Sequence, residues 1–156
     1  MEIKNLQRIL SKLLNGAQLD SIRVYSIALD LEFNQISKSN LPTTIYITTS
    51  NPIYLLQDFS QVSNTDYKVD FYKQRGKVIN QLYSMIGQEI KSVQLSKKGE
   101  LTIAFDEKIF FLSRDVEEFE TIWEVMDITT DPKIEHNWYI SWSEFNEIEI
   151  NVSENF

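Results

Sequence analysis

The sequence predicts an α+β fold, mainly antiparallel sheet, made of two helix-plus-meander units and closed by a C-terminal aromatic hairpin. Three observations predict it. An amphipathic helical pattern ends on a glycine twice, at Gly16 and at Gly87. Each glycine precedes two alternating apolar runs joined by a turn, Leu19, Ile22, Val24 then Leu29, Leu31, Phe33, and Ile90, Val93, Leu95 then Leu101, Ile103, Phe105. The chain then ends on two further alternating segments, 137–145 and 147–152. The two glycine-led stretches lie 71 or 72 residues apart (Gly16 to Gly87, Phe33 to Phe105). One hairpin alone buries too little to stand, whereas two can cover each other.

In chain order, Ile3, Leu6, Ile9, Leu10, Leu13 and Leu14 share one helical face, and Asn15-Gly16 supplies a left-handed stop. A hairpin follows with its tip at Arg23–Ser26, and then a polar loop from Asn34 to Pro42. Thr43–Thr49 is β-branched and aromatic, a third strand. Asn51-Pro52 breaks it, and Ile53–Leu56 forms another short strand or packs under a loop. Gln57–Asn64 reads as irregular, Phe71–Ile86 as the second helix. The second hairpin turns at Ser96–Gly99, and Lys108–Leu112 is its third strand. Asp115–Phe119 suits a helical turn, Ile122–Met126 a strand, and Asp131-Pro132 a loop. The closing hairpin turns around Ser143–Asn146.

Composition bounds the class. The 156 residues suit a single domain, with an internal duplication over 1–50 and 71–113 and an acid-rich extension over 115–156. The net charge of −8 weighs against nucleic acid, whose phosphates are held by Lys and Arg. The chain has no cysteine, which excludes disulfides, thiol catalysis and thiolate zinc sites, and suits a reducing compartment. The N-terminus lacks the core of a signal peptide, and no apolar run reaches the roughly 18 residues of a membrane span. A soluble, cytoplasmic protein is expected.

No motif points to catalysis, a metal or a cofactor. His136, the one histidine, stands beside a loop, and its neighbour Glu135 would point to the opposite face of a strand. Asp115, Glu117, Glu118 and Glu120 are the densest acids, yet they lack the spacing of a calcium loop and of a two-carboxylate pair. A solvated turn of helix explains them as well. There is no Gly-x-Ser-x-Gly elbow and no glycine-rich phosphate loop. The cations Lys68, Lys73, Arg75 and Lys77 read as a solvated helix start.

The charge is unevenly placed. Residues 115–156 hold twelve acids against one Lys, a balance of −11, whereas residues 1–114 stand at +3. All three tryptophans share that segment. Alternation puts Trp138, Ile140 and Trp142 on a buried face and Tyr139 outside. Two explanations stand side by side: plain solubility, or steering toward a cationic protein. The second assigns partner binding to Asp115, Glu117, Glu118, Glu120, Glu124, Glu135, Tyr139, Glu144, Glu147 and Glu149.

One stretch carries a family likeness. Ile86, Gly87, Ile90, Val93, Leu95, Gly99, Leu101, Ile103, Phe105, Phe119, Glu120 and Trp123 form a frame that resembles small bacterial immunity proteins. These accompany polymorphic toxins, including those of contact-dependent growth inhibition. The likeness covers residues 85–127, with a fainter echo at 14–33. It implies a cytoplasmic inhibitor without catalysis of its own, which binds the C-terminal domain of a cognate toxin, often a nuclease and hence basic. The alternative is a non-catalytic cytosolic adaptor module, and a carboxylate-based hydrolase stands third.

Overall fold

The computed structural model describes residues 3–38, 40–56, 71–114, 121–127 and 138–152. Among them are two helices and ten strands, and the strands form two antiparallel sheets, the α+β arrangement expected. The segments 57–64, 115–119 and 131–132, and His136, lie outside the described residues.

Helix α1 (Ile3–Leu14) buries Leu6, Ile9, Leu10, Leu13 and Leu14, the face its spacing marks. It stops where Gly16 takes φ 85°, and Lys38 Nζ donates to the carbonyls of Lys12 and Asn15 at its C-terminus. Strands β1 (Gln18–Val24), β2 (Leu29–Asn34) and β3 (Thr44–Thr49) follow as a meander. The first turn falls at Tyr25–Ala28, two residues later than the expected tip, because Arg23 stays in the ladder opposite Asp30. Ile53–Leu56 is a true strand, β4.

Helix α2 (Phe71–Tyr83) ends three residues before Ile86, and its last turn tightens into i→i−3 bonds that lead into Gly87, at φ 93°. A second meander follows: β5 (Ser92–Leu95), β6 (Leu101–Ala104) and β7 (Ile109–Leu112). Then come β8 (Thr121–Asp127), β9 (Tyr139–Ser143) and β10 (Ile148–Asn151). The acid-rich last third therefore supplies half of the larger sheet, whose order is β1-β2-β3-β8-β9-β10. The smaller sheet runs β4-β7-β6-β5.

The order reveals an exchange. Each unit is a helix, a glycine, a three-stranded meander and a fourth strand. The fourth strand of each pairs in the other's sheet: β4 beside β7, β8 beside β3. The crossing is polar and buried. Asn51 Nδ2 donates to the Ser113 carbonyl at 3.3 Å, the Ser113 hydroxyl donates to the Pro52 carbonyl at 2.9 Å, and Thr49 donates to Ile122 at 2.8 Å.

The segments after the two glycines pair with each other and bring the units together. Gly16 N–H donates to the Ile90 carbonyl at 2.8 Å, and Gly87 N–H to the Leu19 carbonyl at 2.7 Å. Ile90 N–H reaches Ala17 and Leu19 N–H reaches Gln88, both at 2.9 Å. Every bond has its counterpart at the offset of 71 residues, so an approximate two-fold passes between Gln18 and Glu89.

The core lies between the sheets and under both helices, and includes Leu31, Phe33, Ile47, Ile103, Phe110, Trp123 and Trp142. The helices also cover the edges of the smaller sheet. Gln7 of α1 donates to the Val93 carbonyl and accepts from Leu95 N–H, both at 2.6 Å, as a neighbouring strand would. Gln74 of α2 donates to the Ile53 carbonyl on β4. Edges met this way offer no template for another chain.

Candidate docking face

The two sheets differ on their outer faces, and the repeat makes the difference readable. Register places Arg23, Asp30, Thr48, Glu124, Ser141 and Glu149 in one row across all six strands of the larger sheet. The next row is Ser21, Glu32, Tyr46, Met126, Tyr139 and Asn151. Alternation turns these side chains away from the core, because Leu31, Ile47, Val125 and Ile140 beside them are fully buried. The two rows hold four carboxylates and one cation. Four strand spacings separate Asp30 from Glu149, about 19 Å.

The matched positions of the smaller sheet are not acidic. Where β2 has Asp30 and Glu32, β6 has Thr102 and Ala104; where β8 has Glu124, β4 has Tyr54; where β1 has Arg23, β5 has Gln94. The same unit thus folds without these acids, and its formation does not require them.

Local bonds orient part of the row. Thr48 donates to Asp30 at 2.9 Å, Ser21 donates to Glu32 at 3.0 Å, and Tyr139 donates to Glu124 at 3.2 Å. Arg23 lies over the Tyr46 ring at 5.1 Å, bonds its hydroxyl at 3.1 Å and approaches Glu32 at 3.4 Å. Burial pushes both phenols above their ordinary range. Glu32 adds to the rise at Tyr46, where Arg23 opposes it, and Glu124 adds to the rise at Tyr139. Among the described residues the other ion pairs join Lys91 to Glu89 and Asp106, at the far sheet. Among the described residues, no ion pair takes up Glu124, Glu144, Glu147 or Glu149.

Of the partner-binding residues read from the sequence, Glu124, Tyr139 and Glu149 come together on this face. Glu147 stands at its rim, exposed beside the β9–β10 turn. Glu144 lies in that turn, where its carbonyl accepts from Arg114 at 2.5 Å. Asp115, Glu117, Glu118, Glu120 and Glu135 lie outside the described residues. Trp138, Ile140 and Trp142 are buried, as their alternation predicts. Sequence reasoning missed Asp30 and Glu32. Their signal was their place between Leu29, Leu31 and Phe33, which turns them outward.

Reading 68–77 as a solvated helix start suits Lys73 and Lys77, both exposed, and fails at Arg75, which is 4% exposed. Its guanidinium donates to the carbonyls of Ile27 and Asn51 at 2.9 and 3.0 Å and lies 4.7 Å from the Phe71 ring centre. Burial lowers its pKa. Arg75 ties the first hairpin tip to the strand crossing and belongs to the scaffold.

No helix among the described residues is long and apolar enough to cross a membrane. No protein-family model, curated protein or solved structure matches the chain.

Proposed function

We propose that the chain is a cytoplasmic immunity protein that neutralises a cognate cationic toxin domain by binding it, with no catalysis of its own. The toxin domain would be a nuclease delivered by contact-dependent growth inhibition, the class implied by the likeness at residues 85–127. One observation carries the docking part of this reading: acids line the outer face of the larger sheet at positions where the second unit has Thr102, Ala104 and Tyr54. Four carboxylates against the single cation Arg23 leave this face with excess negative charge, and a cationic partner would relieve the resulting repulsion.

The test uses the toxin domain encoded by the neighbouring gene. Reversing Asp30, Glu124 and Glu149 together to Lys is expected to slow association at least tenfold at low salt, with the melting temperature preserved. Unchanged association would remove the face from the reading. An adaptor module is favoured by a separate feature, the exposed Val24, Tyr25 and Ile27 at the first hairpin tip. An adaptor would bind through that tip and ignore the charge reversals.

A further inference from the structure

The acidic face is not flat. Along β9 the outward residues Ser141 and Ser143 are small, and they floor a groove of about 470 Å³. Tyr139 closes one end, Phe145 stands at the other, and Glu147 and Glu149 follow the β10 side. Phe145 is 67% exposed, so its ring is free to be covered by a partner. The turn that carries it is braced in advance. Asn146 takes φ 61°, Arg114 donates to Asn146 Oδ1 at 2.7 Å, and Ser143 Oγ accepts from Glu147 N–H at 3.1 Å. Beyond Tyr139 a second hollow of about 380 Å³ opens between Met126 and Asn151, and Glu149 borders both.

Resting on the docking reading above, we infer that the groove over Ser141 and Ser143 receives an arginine side chain of the cationic partner. A guanidinium presents five N–H donors in one plane and a face that stacks on aromatic rings. The groove offers the complement: the carboxylates of Glu147 and Glu149 along one wall, and a ring at each end. A lysine ammonium would meet the carboxylates but has no plane to lay against Phe145 or Tyr139. An apolar occupant would desolvate Glu149 without giving it a counter-charge, which is costly.

The probes are capped hexa-arginine and hexa-lysine peptides, titrated into the full chain and followed by amide NMR shifts. Shifts centred on Ser141, Ser143, Phe145 and Glu149 are expected, with hexa-arginine binding about fivefold tighter than hexa-lysine. Ser141→Leu, which fills the groove, and Phe145→Ala, an exposed change that leaves the core intact, should each abolish that preference. Equal affinities for the two peptides, or a preference that survives both substitutions, would overturn the inference. If the preference is absent while the Lys reversals at Asp30, Glu124 and Glu149 still slow toxin association, the groove falls and the docking face stands. If those reversals are also silent, both fall.

Discussion

Phe33 and Phe105 stack on one another, ring centres 6.5 Å apart and planes 23° from parallel. Each is the last apolar residue of its hairpin's second run, so two equivalent side chains of the repeat meet beside the axis that relates the halves. Phe33→Leu and Phe105→Leu should each lower unfolding free energy by about 1–3 kcal/mol. In a double-mutant cycle by urea denaturation they should couple by about 0.5–1.5 kcal/mol. Simple additivity would mean that the rings do not support each other.

Gly99, in the β5–β6 turn, packs directly against the larger sheet. Its carbonyl accepts from Trp123 Nε1 at 2.6 Å, its φ is 85°, and a Cβ there would overlap the Trp142 indole. Gly16 and Gly87 have similar φ but open space around the missing Cβ. Ala at either of those two should therefore show only the backbone penalty, about 1–2 kcal/mol. Gly99→Ala should exceed both by about 1–3 kcal/mol and perturb the tryptophan near-UV signal. Equal losses at the three sites would refute the steric argument.

Arg75 should be intolerant even of lysine. Its two carbonyl partners are reached by a fork that an ammonium cannot reproduce, and losing them leaves buried acceptors unmet. Arg75→Met should cost about 2–4 kcal/mol, with Arg75→Lys close behind, by chemical denaturation. A lysine variant as stable as the parent would show that charge alone suffices.

Salt should stabilise this protein. The carboxylates of one row repel one another, and screening within a Debye length of roughly 10 Å at 0.1 M weakens that repulsion. Melting temperature is expected to rise with added sodium chloride. Asp30→Thr with Glu32→Ala and Arg23→Gln, which copies Thr102, Ala104 and Gln94 onto the larger sheet, should fold and show a smaller salt response. A parent melting temperature indifferent to salt would contradict the picture.

At high pH the sign follows from the two tyrosines. Tyr46 and Tyr139 have folded pKa values raised above 10, so the unfolded chain loses these protons first. Their stabilising contribution is complete below pH 10 and is lost as pH climbs through the raised values. Denaturation at pH 9 and pH 11 should show the decline, and Tyr46→Phe with Tyr139→Phe should reduce it. A double variant that declines as steeply as the parent would place the alkaline sensitivity elsewhere.

Much of this was legible in the chain because local rules decided it. Gly16 and Gly87 end helical patterns that nothing else could continue, and alternation in Leu29–Phe33 and Leu101–Phe105 names the buried face of each strand. Alternation does not name a strand's neighbour, so the trade of β4 and β8 between sheets was invisible. For the same reason Asp30 and Glu32 could not be joined to Glu124 and Glu149, which stand two and four strands away on β8 and β10, far along the chain. Arg75 was misread because its sequence neighbours are polar, while its burial comes from a hairpin tip some fifty residues earlier.

The traded strands have a consequence for biosynthesis. A nascent chain that has emerged only through β7 can close the small sheet, since β4 is already made, but it holds just three of the six strands of the large one. The last three, and with them half of the four carboxylates of the acidic face, arrive only from residue 121 onward. The contacts they complete are distant along the chain, the kind that form slowly. Until β8 emerges, β3 carries an open edge that only this later strand fills.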